Sequence, residues 1–282
     1  MTHSRGLRRA AGRLFTLYIP LGVFLVWALF PLYWMIVTSL KPRSELASLE
    51  HLLIVKAPTL EHFQSLLFNS DFPRWFLNNV IVAFAATALA LVISTLAGYA
   101  IARLRFPGRW VISRGVLFSY LIPRNLLLIP LFVVVLRLGL IDSLAGLVLV
   151  YLTFMVPFCT WLLAGYFASV PVDIEESAML DGCSRLQILV RILLPLAKPG
   201  LITATVFSFT LAWSEYLYPL VLTSSSATQV VPVGVSLLMT GDLFDWGRIM
   251  AAGVVFTLPI LFLYYPLQRF LTGGLTAGAV KG

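Results

Sequence analysis

Residues 171–200 read PVDIEESAMLDGCSRLQILVRILLPLAKPG, a charged, helix-forming stretch set between two long apolar runs. Pro171 ends whatever helix precedes it. Asp173 is placed to cap a new helix, with Glu176 at the reciprocal capping-box spacing and Glu175 adding negative charge in the first turn, where the macrodipole favours it. Ile174, Ala178 and Asp181 recur at helical spacing, and Gly182 permits a sharp reversal. Ser184 and Gln187 repeat the capping-box pattern, and Ile188, Leu189, Ile192 and Leu193 give a second helix an apolar face before Pro195 and Pro199 interrupt it. Such a loop can be a solvated hairpin. A short capped helix held out from a membrane is better suited to docking on another protein.

The rest of the chain makes the membrane setting explicit. Of 282 residues, 60% are hydrophobic and 11% charged, whereas soluble domains carry about a quarter charged residues. Six apolar runs, at residues 14–40, 76–102, 111–136, 143–170, 200–223 and 249–267, are each long enough to cross roughly 30 Å of hydrocarbon at about 1.5 Å per residue. The fold class expected is an all-α membrane protein of about six transmembrane helices. The first run exceeds the apolar core of a cleavable signal peptide and reads as a retained helix. Cys159 and Cys183 are the only cysteines, one in an apolar run and one in the charged loop, so neither a disulfide framework nor a cysteine metal site follows.

The net charge of +8 is spread in short clusters at the ends of apolar runs, a pattern of membrane orientation and not of nucleic-acid binding. Arg5, Arg8, Arg9 and Arg13 precede the first run; Arg103, Arg105, Arg109 and Arg114 surround the second-to-third turn; Arg185, Arg191 and Lys198 lie in the loop; Arg269 and Lys281 end the chain. Six crossings put all of these on one face, which the positive-inside tendency makes cytoplasmic. Residues 1–13, the loop 171–199 and the tail 273–282 are therefore expected in the cytoplasm, and residues 41–75 outside it. The connection 223–246 has no Lys or Arg and carries Asp242 and Asp245. Lys41, Arg43, Lys56 and Arg74 in residues 41–75, and Arg137, run against the rule.

The order Glu176, Ser177, Ala178, three residues, Gly182, nine residues, Ile192, one residue, Leu194, Pro195 resembles the E-A-A loop of ATP-binding-cassette importer permeases, with Ser177 in place of the first Ala. The resemblance extends to the carbohydrate-uptake branch through IPLF at 129–132, WSEYL at 213–217 and GLTAGAVKG at 274–282, and Ser214 stands where many relatives carry Asn. It implies that residues 175–182 form a coupling helix seated in a cytoplasmic ATPase, with Glu175, Glu176, Ser177, Ala178, Asp181 and Gly182 as the coupling residues. It also implies a homologous second permease, a pair of ATPase subunits and an extracytoplasmic solute-binding protein as partners. The tail from Gly274 is similar to tails that reach toward the ATPase dimer. The chain has no Gly-rich phosphate loop followed by Lys and Ser or Thr. ATP and Mg therefore belong to the separate ATPase, and no cofactor is expected here.

Polar residues inside apolar runs mark candidate pathways. Arg124 and Asn125 lie between Pro123 and Pro130, where the third run should bend, and Trp213, Ser214, Glu215, Tyr216 and Tyr218 cluster in the fifth. Aromatic faces beside hydrogen-bonding groups suit a sugar, although Trp and Tyr also form interfacial belts. Arg124 and Glu215 are candidates to pair, offsetting two buried charges. Asn78 and Asn79 are expected to satisfy backbone groups. His3, His51 and His62 are scattered and form no catalytic or metal motif, so an enzyme is not expected. Glycerol phosphate or a polyol is the alternative cargo. A secondary transporter would need coupling-ion sites and a duplicated helix set, and a purely structural subunit would be indifferent to changes in the fifth run.

Overall fold

The computed structural model describes residues 14–48, 52–239 and 244–279, and all its regular elements are helical among those residues. Arg5, Arg8, Arg9, Arg13, Asp242 and Lys281 lie outside them. An all-helical answer is what a membrane demands, because backbone donors and acceptors in hydrocarbon must be satisfied within the segment. Among the described residues four helices are long and apolar enough to cross, and up to six crossings result if each of two sharply bent pairs counts as one.

The chain divides into two compact units, one taking in the chain to Ser70 with Leu238–Thr257 and the other Asp71–Leu237 with the chain from Leu258. In the first, a π-helical turn (Leu14–Tyr18) leads into α1 (Ile19–Leu40), followed by α2 (Arg43–Ser48) and α3 (Glu61–Phe68). Polar contacts hold this unit. The Lys41 ammonium donates to the Leu52 carbonyl at 2.9 Å, His62 Nε2 lies 2.9 Å from the Lys41 carbonyl, and Arg43 pairs with Asp245 at 3.5 Å. Lys41 and Arg43, which run against the positive-inside tendency, are thus engaged within the unit that contains them.

The second unit is built on α4 (Phe72–Arg103), α5 (Arg109–Leu121), α6 (Leu128–Arg137) and α7 (Leu144–Ser169). It continues through α8 (Val172–Leu180), α9 (Arg185–Leu196), α10 (Lys198–Ser214), α11 (Leu217–Leu222), α12 (Val231–Leu237) and the later part of α13 (Trp246–Ala279). Helices α4 and α7 pack along each other most extensively. Gly98 makes their close approach possible, since a Cβ there would lie 3.1 Å from the Ala164 nitrogen and 3.3 Å from the Thr160 carbonyl.

Two of the runs expected as single helices are broken. The third turns by 97° between α5 and a segment that begins with a 3₁₀ turn (Arg124–Leu127) and continues as α6. Ile122 and Pro123 are extended there, as the residue before a proline tends to be. The fifth breaks at Glu215 and Tyr216, because Pro219 has no N–H for the Glu215 carbonyl and its ring crowds that carbonyl. Glu215 is extended, and its side chain accepts the N–H of Leu217, the first residue of α11, at 3.0 Å. Carbonyls freed by the break are reached from α4: Asn79 donates to Trp213 at 3.3 Å. Its neighbour Asn78 donates to Ala227 and Gln229 at 2.9 and 2.8 Å.

Candidate functional site

The loop between α7 and α10 folds as a helix, a reversal and a second helix. Val170 is extended ahead of Pro171, and α8 starts at Val172. That corrects the expected capping by Asp173: Pro171, with its φ of −57°, occupies the cap position without a side-chain bond, so Asp173 falls inside the first turn and Glu176 closes no capping box. Asp173 and Glu175 still place charge where the dipole favours it. Gly182 ends α8 at φ +84°, with its N–H on Met179 (3.1 Å) and the Cys183 N–H on Ala178 (3.0 Å), the paired bonds of a Schellman turn. The Ser184–Gln187 capping box is present in both directions, at 2.8 and 3.3 Å.

The two helices lie against the spanning helices through one apolar cluster. Ala178, Ile188, Leu189, Leu193 and Ala197 pack with Tyr99 of α4 and with Leu163 and Phe167 of α7. On the same side of α8, Glu175 is buried and ion-paired with Arg103. Its other side is open: Glu176, Ser177 and Asp181 are exposed, and Leu180 keeps 90% of its surface accessible. Leu180 thus stands in the open beside the exposed carboxylates of Glu176 and Asp181.

A second feature lies at the breaks. A cavity of about 240 Å³ is lined by Ser119, Tyr120, Arg124, Thr153, Phe154 and Phe207 among others. It shares Arg124, Phe207 and Leu211 with a neighbouring recess of about 400 Å³ that adds Thr210, Ser214, Glu215 and Tyr264. Arg124 Nη1 stands 3.7 Å from Glu215 Oε2, and the pair is half open to the cavity, Arg124 being 51% and Glu215 13% exposed. Such a partly exposed pair contributes little to stability, about 0–1 kcal/mol. The Tyr218 hydroxyl donates to the Arg124 carbonyl at 2.7 Å, fixing α11 against the 3₁₀ turn.

Residues 91–276 match the family of binding-protein-dependent transport system inner membrane components. The chain belongs to that family. It is 38% identical to the inner membrane ABC transporter permease protein YcjP of Escherichia coli K12, across 94% of this chain and 95% of the relative. It is 37% identical to the diacetylchitobiose uptake system permease protein DasC of Streptomyces coelicolor, across 92% and 94%. Its fold is similar to a crystal structure of a bacterial ABC transporter involved in the import of the acidic polysaccharide alginate, with a TM-score of 0.80 and 23% identity over 93% of this chain and 96% of that one. It is a multi-pass inner-membrane permease subunit of an importer that works with a binding protein, and ATP is hydrolysed by a separate subunit.

The permease does not gather all the pathway residues read from its sequence. Arg124, Glu215 and Ser214 line the recess. Trp213 is fully buried, stacked on Phe209 at 5.3 Å and edge-on to Phe76 at 5.8 Å, and Tyr218 is buried against Phe154. Asn125 and Tyr216 are exposed but line neither cavity. Tyr120, Thr153, Phe154, Phe207, Thr210 and Tyr264 went unread. Of these only Thr210 carried a signal: it lies one turn before Ser214, whose hydroxyl donates to its carbonyl at 2.7 Å.

Proposed function

We propose that this permease supplies half of the membrane pathway of an ATP-driven importer for a sugar or oligosaccharide, working by alternating access. The observation that carries the cargo class is the Arg124–Glu215 pair at the cavity wall. Guanidinium and carboxylate together donate to and accept from neighbouring hydroxyls while leaving the wall without net charge. Tyr120, Phe154 and Phe207 offer ring faces to sugar C–H groups, and Ser119, Thr153 and Thr210 offer hydroxyls. An anionic cargo must compete with Glu215 for Arg124, so glycerol phosphate fits this wall less well than a neutral sugar or polyol. The diacetylchitobiose relative supports the same class.

In this reading the open face of α8, with Glu176, Ser177, Leu180 and Asp181, docks in a groove of the ATPase. Gly182 sets the turn behind it. Residues 1–13, 171–199 and 273–282 face the cytoplasm; residues 41–75 and 223–246 face the solute-binding protein. A homologous permease completes the pathway, and two ATPase subunits bind ATP and Mg. The test is uptake by proteoliposomes containing the whole complex and its binding protein, offered neutral sugars, polyols, anionic sugars and glycerol phosphate. ATP-dependent uptake of a neutral saccharide is expected. Uptake driven by a proton or sodium gradient without the ATPase, or selective uptake of glycerol phosphate, would contradict it.

A further inference from the structure

Helix α8 carries its open face and its anchored face on opposite sides. The anchored face holds two residues one turn apart, Glu175 and Ala178, both buried. Ala178 joins the apolar cluster shared with α4 and α7. Glu175 Oε1 meets Nε of Arg103, and only 4% and 8% of the two side chains remain accessible.

Arg103 is the last residue of α4. Besides Glu175 it reaches the carbonyl of Val170, to which Nη2 donates at 2.5 Å. Val170 is the extended residue at which α7 stops. One guanidinium therefore ties together the end of α4, the exit of α7 and the first turn of α8. Its planar fork suits the task, since it can pair with a carboxylate through one nitrogen while another donates to a carbonyl. The tie spans a weak point: only Val170 and Pro171 separate α7 from α8, and α8 has no side-chain cap of its own.

We propose that Arg103 is a positioning residue for coupling. Through Glu175 and the Val170 carbonyl it makes α8 move as one body with the ends of α4 and α7. A displacement imposed on α8 by the ATPase then reaches the spanning helices and is not absorbed at the Val170–Pro171 junction. The inference rests on the docking role proposed above for the open face of α8.

Removing one partner of a buried ion pair strands the other charge, whereas replacing both with apolar residues of similar volume is often neutral for folding. The test therefore uses the double variant Arg103→Met/Glu175→Leu, with Arg103→Lys, which keeps the charge and loses the fork, beside it, in the complete complex in proteoliposomes. Both should insert and associate with the ATPase, while uptake per ATP hydrolysed falls about tenfold. That ratio is a quantity which a purely structural pair would leave unchanged in an assembled complex. Parental uptake per ATP in both variants overturns the proposal. Loss of assembly in both also overturns it, because the pair is then a requirement of folding. Leu180→Ala, measured alongside, reports on docking alone. Undiminished ATPase association in Leu180→Ala contradicts the docking reading, whereas weakened association there with normal coupling in the pair variants contradicts only the role of Arg103.

Discussion

The Asp142 carboxylate accepts the backbone N–H of Ser224 at 2.9 Å across 82 positions of sequence. It also accepts the Ser225 N–H at 3.1 Å and the Thr228 hydroxyl, and so clasps the α6–α7 turn to the segment after α11. The Thr228 hydroxyl first, then the two backbone N–H groups, hold its carboxyl well below the usual carboxylate range. A lowered folded pKa contributes stability that is present above the unfolded value, about 3.9, and is lost as pH falls below it. Asp142→Asn should lower the melting temperature at pH 7 and flatten its decline below about pH 4. Asn is chosen because Asp142 sits at φ 54°, a region Asn tolerates. Equal acid sensitivity in the variant and the parent would contradict the clasp.

Asn79 serves a carbonyl freed at the break after α10, and Asn78 serves two carbonyls in the connection between α11 and α12. Asn78→Leu should strand the Ala227 and Gln229 carbonyls and destabilise the permease by about 1–3 kcal/mol, read as a lower thermal midpoint in detergent. Leu77→Ala, on an exposed neighbour, should do far less. Matching midpoints for Asn78→Leu and Leu77→Ala would mean that water, not Asn78, satisfies those carbonyls.

Glu215 neutralises the wall next to Arg124. Glu215→Gln should keep an acceptor for the Leu217 N–H and leave the guanidinium uncompensated. Uptake should then shift by about tenfold or less toward anionic sugars relative to neutral ones. The check is a competition assay in proteoliposomes at low and high salt, where the gain should shrink as salt rises. An unchanged ratio at low salt would place cargo elsewhere.

Gly182 holds φ +84° at the end of α8, with no heavy atom within 4 Å of a built Cβ. Space is therefore not the constraint; the left-handed backbone is. Gly182→Val should cost about 1–2 kcal/mol through backbone strain alone, with Gly182→Asn largely sparing the turn. Ligand-stimulated ATP hydrolysis should be lowered by Val and retained by Asn. If both substitutions act alike, the turn conformation is not what coupling requires.

What the sequence made legible follows from how local each signal is. The capping box at Ser184, the reversal at Gly182 and the buried stripe of Ile188, Leu189 and Leu193 depend on residues within a turn or two of one another, and all three are present. The 97° break at Pro123 was legible as a bend but not as a right-angle turn. Asp173 was misread because Pro171 and Asp173 compete for the start of one helix, and only the backbone decides between them. The Arg124–Glu215 pair was readable as two charges each needing an opposite one in a poor solvent. Arg103 with Glu175 was not: Arg103 looks like any basic residue at a helix end, and Glu175 like any first-turn acid. Trp213 shows the converse. An aromatic in a polar cluster looks like a sugar platform, but stacking on Phe209 turns it into the core.

The open face of α8 is the element on which the proposed coupling to ATP hydrolysis rests. Ligand-stimulated ATP hydrolysis should be measured in proteoliposomes holding the complete importer, with the parent permease and with Glu176→Lys. Glu176 is exposed, so the substitution should leave folding and membrane insertion within about 0.5 kcal/mol of the parent. Stimulation by ligand and binding protein in the parent, lost in the variant while the permease remains in the membrane, is the expected result. Equal stimulation in both would contradict the assignment of α8 as the element through which ATP hydrolysis drives the pathway.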